Sequence, residues 1–73
     1  MNMKLVKFRS KRIPVHCSLA GEGAFEGLEE KLEQMAYNFE FRRRLRTISN
    51  IELVSEVAIF KYNDGTKLYL EVS

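Results

Sequence analysis

The chain has 73 residues, of which 45% are hydrophobic and 30% charged, and its formal net charge is +2. This composition is typical of a folded protein, and the length predicts a single domain over residues 1–73 with one core. One cysteine, Cys17, excludes an internal disulfide, and no apolar run approaches the roughly 20 residues that span a bilayer. We therefore expect a cytoplasmic protein with no secretion signal and no contact with a membrane.

The charged side chains are segregated along the chain. Residues 1–20 carry five basic side chains and no acidic one, whereas residues 21–41 carry six glutamates and one lysine. Four arginines then fall within five positions, at Arg42, Arg43, Arg44 and Arg46. Blocks of opposite charge favour association with a charged partner or with a second copy of the chain.

Two extended stretches are predicted near the N-terminus. Residues 3–9 alternate between apolar and basic side chains, which places Val6 and Phe8 on one face of a strand. Apolar side chains at alternate positions of residues 13–17 repeat this period. Because Pro14 cannot donate a backbone hydrogen bond, the second stretch is either an edge strand or the far end of the first strand.

The strongest pattern in the chain is that of an amphipathic helix beginning after Gly23. Gly23 is the predicted N-cap, and Glu26 then lies in the first turn, where its charge favours the positive end of the helix. Six apolar residues at helical spacing form the predicted buried stripe: Phe25, Leu28, Leu32, Met35, Ala36 and Phe39.

The arginine run sets the predicted end of this helix. Continuing the helix past Phe41 would place Arg43 and Arg46 on the apolar stripe, where an unpaired charge is costly. We therefore expect the helix to end near residue 40 or 41 and the chain to become extended. In an extended chain Arg42, Arg44 and Arg46 share one face, which would point outward.

The C-terminal third is predicted to be a β-hairpin. Asp64-Gly65 is typical of a two-residue turn, and this register pairs Phe60 with Tyr69 and Tyr62 with Lys67. These three rings then lie on the face directed away from the helix. The face predicted to cover the helix consists of Val57, Ile59, Leu68, Leu70 and Val72. The first strand of the hairpin is expected to start as early as residue 50, with a bulge near residue 55.

These elements predict an α+β fold in which one amphipathic helix packs on a small antiparallel sheet. The approximate order is β(β)-α-β-β, ending in the C-terminal hairpin. The N-terminal strand can pair with either edge of that hairpin, so the strand order is open.

No motif in the sequence predicts catalysis. The spacing of Gly21, Gly23 and Gly27 differs from that of a phosphate-binding loop, and the neighbouring glutamates would repel a phosphate. His16 and Cys17 supply two ligands where a zinc site needs at least three from the protein. We expect no catalytic residues, cofactor, metal or small-molecule substrate, and the chain is not predicted to be an enzyme.

Two functions are compatible with the arginines and the outward rings. The first is a non-enzymatic protein-binding module, such as a regulator or inhibitor of a larger protein, that also forms a homodimer. The alternative is binding of RNA or single-stranded DNA, in which the rings stack on bases. The phosphates would then be held by Lys4, Lys7, Arg42, Arg44 and Arg46. The acidic helix disfavours a long polyanion, so protein binding ranks first. The predicted partner-binding residues are Arg42, Arg43, Arg44, Arg46, Phe60, Tyr62, Lys67 and Tyr69.

Overall fold

A computed structural model describes residues 2–8, 11–18 and 22–72 of the chain. In chain order its elements are β1 (Asn2–Phe8), β2 (Lys11–Ser18), α1 (Glu22–Met35), α2 (Phe39–Arg44), a 3-10 turn (Leu45–Thr47), β3 (Ile48–Val54), β4 (Val57–Tyr62) and β5 (Lys67–Glu71). The strands form one sheet in the order β1-β2-β3-β4-β5. Strands β2 and β3 are parallel, and the other neighbours are antiparallel.

The α+β class is confirmed, but the finer prediction of one helix on an antiparallel sheet is not. The described residues contain two α-helices, and the sheet has five strands and is mixed. The predicted order β(β)-α-β-β lacks one strand, because residues 48–62 form two strands instead of one. They are joined at Ser55, whose positive φ of 55° reverses the chain where a bulge was expected.

The N-terminal strands follow the predicted alternation. Val6 and Phe8 of β1 and Ile13 and Val15 of β2 are buried on one face of the sheet. The expectation that Pro14 belongs to an edge strand or to the end of β1 is wrong, because β2 lies between β1 and β3. The register with β3 begins only at Val15, so at Pro14 the strand has one neighbour and the missing N–H interrupts no bond to β3.

Helix α1 buries much of its predicted stripe. Leu28 and Leu32 are fully buried, and four partly buried side chains pack around them: Ala24, Phe25, Met35 and Ala36. Gly23, the predicted N-cap, lies inside α1, and the helix ends at Met35 instead of residue 40 or 41. The last predicted member of the stripe, Phe39, belongs to α2 and is 63% exposed.

The C-terminal hairpin exists, but its register is shifted by one residue from the prediction. Phe60 pairs with Leu68 instead of Tyr69, because the turn has three residues, with Gly65 at a φ of 89°. A three-residue loop that ends in a left-handed glycine is the bulged alternative to the two-residue turn. A shift of one residue exchanges the two faces of a strand. Phe60 and Tyr62 therefore face the helices, at 0% and 5% exposure.

The helices pack on one face of the sheet, the inner face, and the other face is exposed. Both helices contribute to the core on the inner face, and Gly27 of α1 lies so close to Val72 that an added Cβ would overlap the Val72 carbonyl oxygen. The outer face carries exposed side chains, including Met3, Leu5 and Tyr69. No helix in residues 2–8, 11–18 and 22–72 is long and apolar enough to cross a bilayer.

Candidate functional site: a cationic groove beside helix α2

Helix α2 is a short new helix that begins at a side-chain cap. The Asn38 side-chain oxygen accepts a hydrogen bond from the N–H of Phe41 at 3.1 Å, and Asn38 itself is extended, with φ −88° and ψ 116°. Glu40 lies in the first turn, and Arg42, Arg43 and Arg44 lie in the last. This distribution of charge suits the helix dipole, with acid at the positive end and base at the negative end.

The restart at Asn38 changes which side chains of the arginine segment face the core. Phe41 and Leu45, four positions apart, are buried, and the Phe41 ring meets the Phe60 ring edge-on with centroids 5.7 Å apart. A continuous helix would have placed Arg43 and Arg46 on the apolar stripe. The expectation that the chain becomes extended here is therefore wrong. A new helix with a different rotational phase also keeps these arginines off the buried face.

Three of the four arginines line one groove on the molecular surface. The groove has a volume of about 670 Å³. Its lining consists of Phe8, Lys11, Phe39, Arg42, Arg43, Leu45 and Arg46. The lining residues are therefore cationic or apolar, with no carboxylate among them. The guanidinium carbon of Arg42 lies 5.9 Å from the centre of the Phe39 ring.

Lys11 fixes the base of the groove through contacts that are distant in sequence. Its ammonium donates hydrogen bonds to the carbonyl oxygens of Leu45, Arg46 and Ile48 at 3.1, 2.8 and 2.8 Å. An ammonium has three donors, so all three are used, and they satisfy carbonyls at the end of the 3-10 turn. The first residue of β2 thereby holds the segment that carries the arginines.

Arg44 is directed away from the groove and ties α2 to the β4–β5 turn. Its guanidinium donates to the Thr66 hydroxyl at 2.8 Å, lies 3.8 Å from the Asp64 carboxylate and stacks 4.3 Å from the centre of the Tyr62 ring. The hydroxyl of Thr66 also donates to Asp64 at 2.6 Å. This bond, and a second one from the Thr66 N–H, lower the pKa of Asp64. Burial raises the pKa of Tyr62.

The predicted partner-binding residues thus fall into four places. Arg42, Arg43 and Arg46 line the groove, and Arg44 makes contacts within the chain. The prediction that Phe60 and Tyr62 point outward is wrong, because both are buried in the core. Lys67 and Tyr69 are exposed on the outer face of the sheet, the face opposite the helices. The three predicted rings therefore do not form one platform.

Residues that the sequence interpretation overlooked complete the groove. The helical pattern places Phe39 on a buried stripe, and nothing in the sequence separates Lys11 from the other N-terminal basic residues. The signal for α2 was present, because Asn38 is a favoured N-cap and Glu40 and the arginines suit the two ends of a helix. No sequence signal relates Lys11 to the turn at Leu45, because the two are 34 residues apart.

The described part of the chain offers no second site with evident chemistry. No three His, Cys, Asp or Glu side chains among these residues are grouped so that they could hold a metal ion.

Comparisons of the chain with protein-family models, with curated proteins and with solved structures found no match.

Proposed function

We propose that the chain is a non-enzymatic protein-binding module of the cytoplasm, a small regulator or inhibitor of a larger protein, and that the cationic groove beside α2 binds an acidic segment of that partner. The observation that carries the proposal is the composition of the groove. Arg42, Arg43 and Arg46 line it together with apolar side chains, and no carboxylate of the described residues does. The cytoplasmic assignment rests on the single cysteine.

The arginines of the groove are free to contact a partner. Arg43 and Arg46 make no ion pair or hydrogen bond through their side chains within the described residues, whereas Arg44 and Lys61 are each paired with an acid. Gathering guanidinium groups without counter-charges costs electrostatic free energy, which an anionic partner would relieve. Guanidinium groups can bind carboxylates through two parallel hydrogen bonds, so each arginine can hold one acidic side chain.

The apolar lining residues favour a peptide that carries both acidic and hydrophobic side chains. Phe39 is 63% exposed at the groove, beside Arg42, and Phe8 and Leu45 line the same surface. A groove that combines apolar surface with a few charged groups matches the usual composition of binding sites, in which apolar contact supplies affinity and charge supplies orientation. A purely acidic segment would leave Phe39 in water.

Binding of RNA or single-stranded DNA is the second candidate, and the exposed ring of Phe39 beside Arg42 is the observation in its favour. Two observations rank it lower. The sheet platform of rings is absent, because Phe60 and Tyr62 are buried. In addition, Glu26, Glu29, Glu30 and Glu33 of α1 are exposed in the same helical layer as the groove and would repel a long polyanion.

The test is a fluorescence-anisotropy titration with three labelled probes. The first is a peptide of alternating glutamate and leucine, the second has alanine in place of leucine, and the third is a single-stranded RNA of equal charge. At about 50 mM salt we expect the first peptide to bind most tightly. The double variant R43Q/R46Q should weaken its binding about tenfold or more, because charge-assisted hydrogen bonds are lost.

The matched control is Arg12→Gln, which removes an exposed guanidinium from β2 on the outer face of the sheet. It should leave peptide binding within about twofold of the parent. Equal losses in R12Q and R43Q/R46Q would mean that net charge, and not the groove, drives binding. Tighter binding of the RNA than of either peptide, with a steep salt dependence, would replace the proposed function with the second candidate.

A further inference from the structure

Strand β5 forms one edge of the sheet and has a self-complementary sequence. In the sheet order β1-β2-β3-β4-β5, β4 is its only neighbour among the residues that the structure describes. Its five residues, Lys67-Leu68-Tyr69-Leu70-Glu71, run from a basic to an acidic side chain around a central tyrosine. If such a strand is laid antiparallel to a copy of itself about the tyrosine, each position meets a suitable partner. Lysine then faces glutamate, and leucine faces leucine.

Alternate residues of β5 direct their backbone N–H and C=O groups toward the open edge of the sheet, where a second strand could bind them. The N–H of Tyr62 donates to the carbonyl of Thr66, and the N–H of Val72 donates to the carbonyl of Glu56. Because hydrogen-bonded residues alternate in an antiparallel pair, Leu68 and Leu70 direct their backbone groups toward β4. The backbone N–H and C=O groups of the other three residues, Lys67, Tyr69 and Glu71, point toward the open edge of the sheet.

We propose that β5 is the homodimer interface of this protein, and that two copies pair antiparallel through β5 about a two-fold axis at Tyr69 to form a continuous ten-stranded sheet. In this register Lys67 pairs with Glu71 of the second copy, and Tyr69 pairs with its own counterpart. Residues 67, 69 and 71 of one copy then pair with residues 71, 69 and 67 of the other. The two residues of each pair exchange two backbone hydrogen bonds. Leu68 and Leu70, half-buried at the end of the core, become covered by their counterparts.

The register and the choice of edge both follow from these observations. A two-fold centre at Leu68 or Leu70 would shorten the overlap to fewer pairs and leave Lys67 or Glu71 without its opposite charge. Pairing through the other edge, β1, is disfavoured, because its sequence NMKLVKF carries two lysines and no acid. A two-fold pairing through β5 occupies the β5 edge of both copies. Because pairing through β1 is disfavoured, association stops at the dimer. The groove beside α2 takes no part in it.

The first measurement is sedimentation velocity of the parent from about 5 to 500 µM, the range in which interfaces of this small area form. We expect a monomer–dimer equilibrium and no larger species. Tyr69→Pro removes an outward N–H of an edge strand together with the exposed phenol ring, so the dimer should be lost while circular dichroism stays that of the folded parent. A dimer that persists in Y69P, or a parent that is monomeric at every concentration, overturns the proposal.

Charge reversal tests the register. Lys67→Glu and Glu71→Lys each create two like-charged pairs across the interface and should weaken dimerisation about five- to thirtyfold. The double variant K67E/E71K restores opposite charges and should recover most of the parent's affinity. The control Lys7→Glu, an exposed position of β1, should leave dimerisation unchanged. A double variant no better than the single variants overturns the register.

Hydrogen exchange gives a readout that needs no variant. The amides of Tyr69 and Glu71 should exchange more slowly as the parent concentration rises, whereas the amide of Leu68, bonded to β4, should respond far less. Equal exchange of Tyr69 at all concentrations overturns the pairing even if Y69P fails to fold. Growth to species larger than two copies would indicate pairing of β5 with β1 of another molecule, which also contradicts a closed dimer.

Discussion

The close approach of α1 to the end of the chain makes Gly27→Ala an informative substitution. In an open helix interior, replacing glycine with alanine stabilises a protein by about 0.5–1 kcal/mol, because glycine loses more backbone entropy on folding. At Gly27, however, the new Cβ would overlap the carbonyl oxygen of Val72 and lie 3.3 Å from the carbonyl carbon. Relief of this overlap requires α1 or the end of the sheet to move by about 1 Å.

The end of the sheet is held in place and cannot move freely. The N–H of Val72 donates to the carbonyl of Glu56 at 2.8 Å, and the Val72 side chain is buried in the core. Overpacking of this kind costs about 1–3 kcal/mol, which exceeds the gain in helix propensity. We expect a net loss of about 1–2 kcal/mol in the free energy of unfolding, or roughly 4–16 °C in Tm for a domain of this size.

The assay is urea unfolding followed by circular dichroism, with Gly23→Ala as the matched control. Gly23 lies in the same helix, and an added Cβ there meets nothing within 4 Å. Its substitution should therefore be neutral or stabilise by up to about 1 kcal/mol. Only G27A is expected to lower the urea midpoint. If G27A were as stable as G23A, the tight packing of α1 on Val72 would be refuted.

Three further predictions test the groove and its supports. Lys11→Met should destabilise the fold by about 2 kcal/mol, because three carbonyls lose a charged donor; equal midpoints of parent and variant in urea would contradict this role. The raised pKa of Tyr62 favours the neutral phenol in the folded state, so stability should fall as the pH rises above about 10, and Tyr62→Phe should remove that dependence. The lowered pKa of Asp64 means that its stabilising contribution is present above the usual carboxyl pKa and is lost on acidification, so NMR titration should find its midpoint below 3.8. Thr66→Val should bring that midpoint back toward the ordinary value.

Local patterns predicted the elements well where one period was dominant. Val6 and Phe8 of β1, and Ile13 and Val15 of β2, lie on the buried face that their alternation indicates. The stripe of α1 is likewise buried where it is centred, at residues 28 and 32. In these segments one face is much more apolar than the other, so the free energy of burial selects a single orientation.

The hairpin shows why a correct turn does not ensure a correct register. Asp64-Gly65 lies in the β4–β5 turn as predicted, yet the loop has three residues, and every side chain of β4 changes face. Lys61 carried a signal for the observed register, because the predicted one would have turned it toward the core with Val57 and Ile59. In the structure it lies outward and pairs with Glu52 at 3.4 Å.

The sequence by itself determined the class of fold, the centre of α1, the location of the turn at Asp64-Gly65, and the separation of acidic from basic segments. Only the tertiary structure decided which arginines are free, because Arg44 finds Asp64 and Thr66 across the fold while Lys11 holds the turn from 34 residues away. Helical and strand periods are properties of a few neighbouring residues, and so the chain displays them directly. Contacts between distant segments set the register of the hairpin, the rotational phase of α2 and the lining of the groove. The alternative arrangements of these segments differ in how well the assembled core packs, which a local pattern does not show.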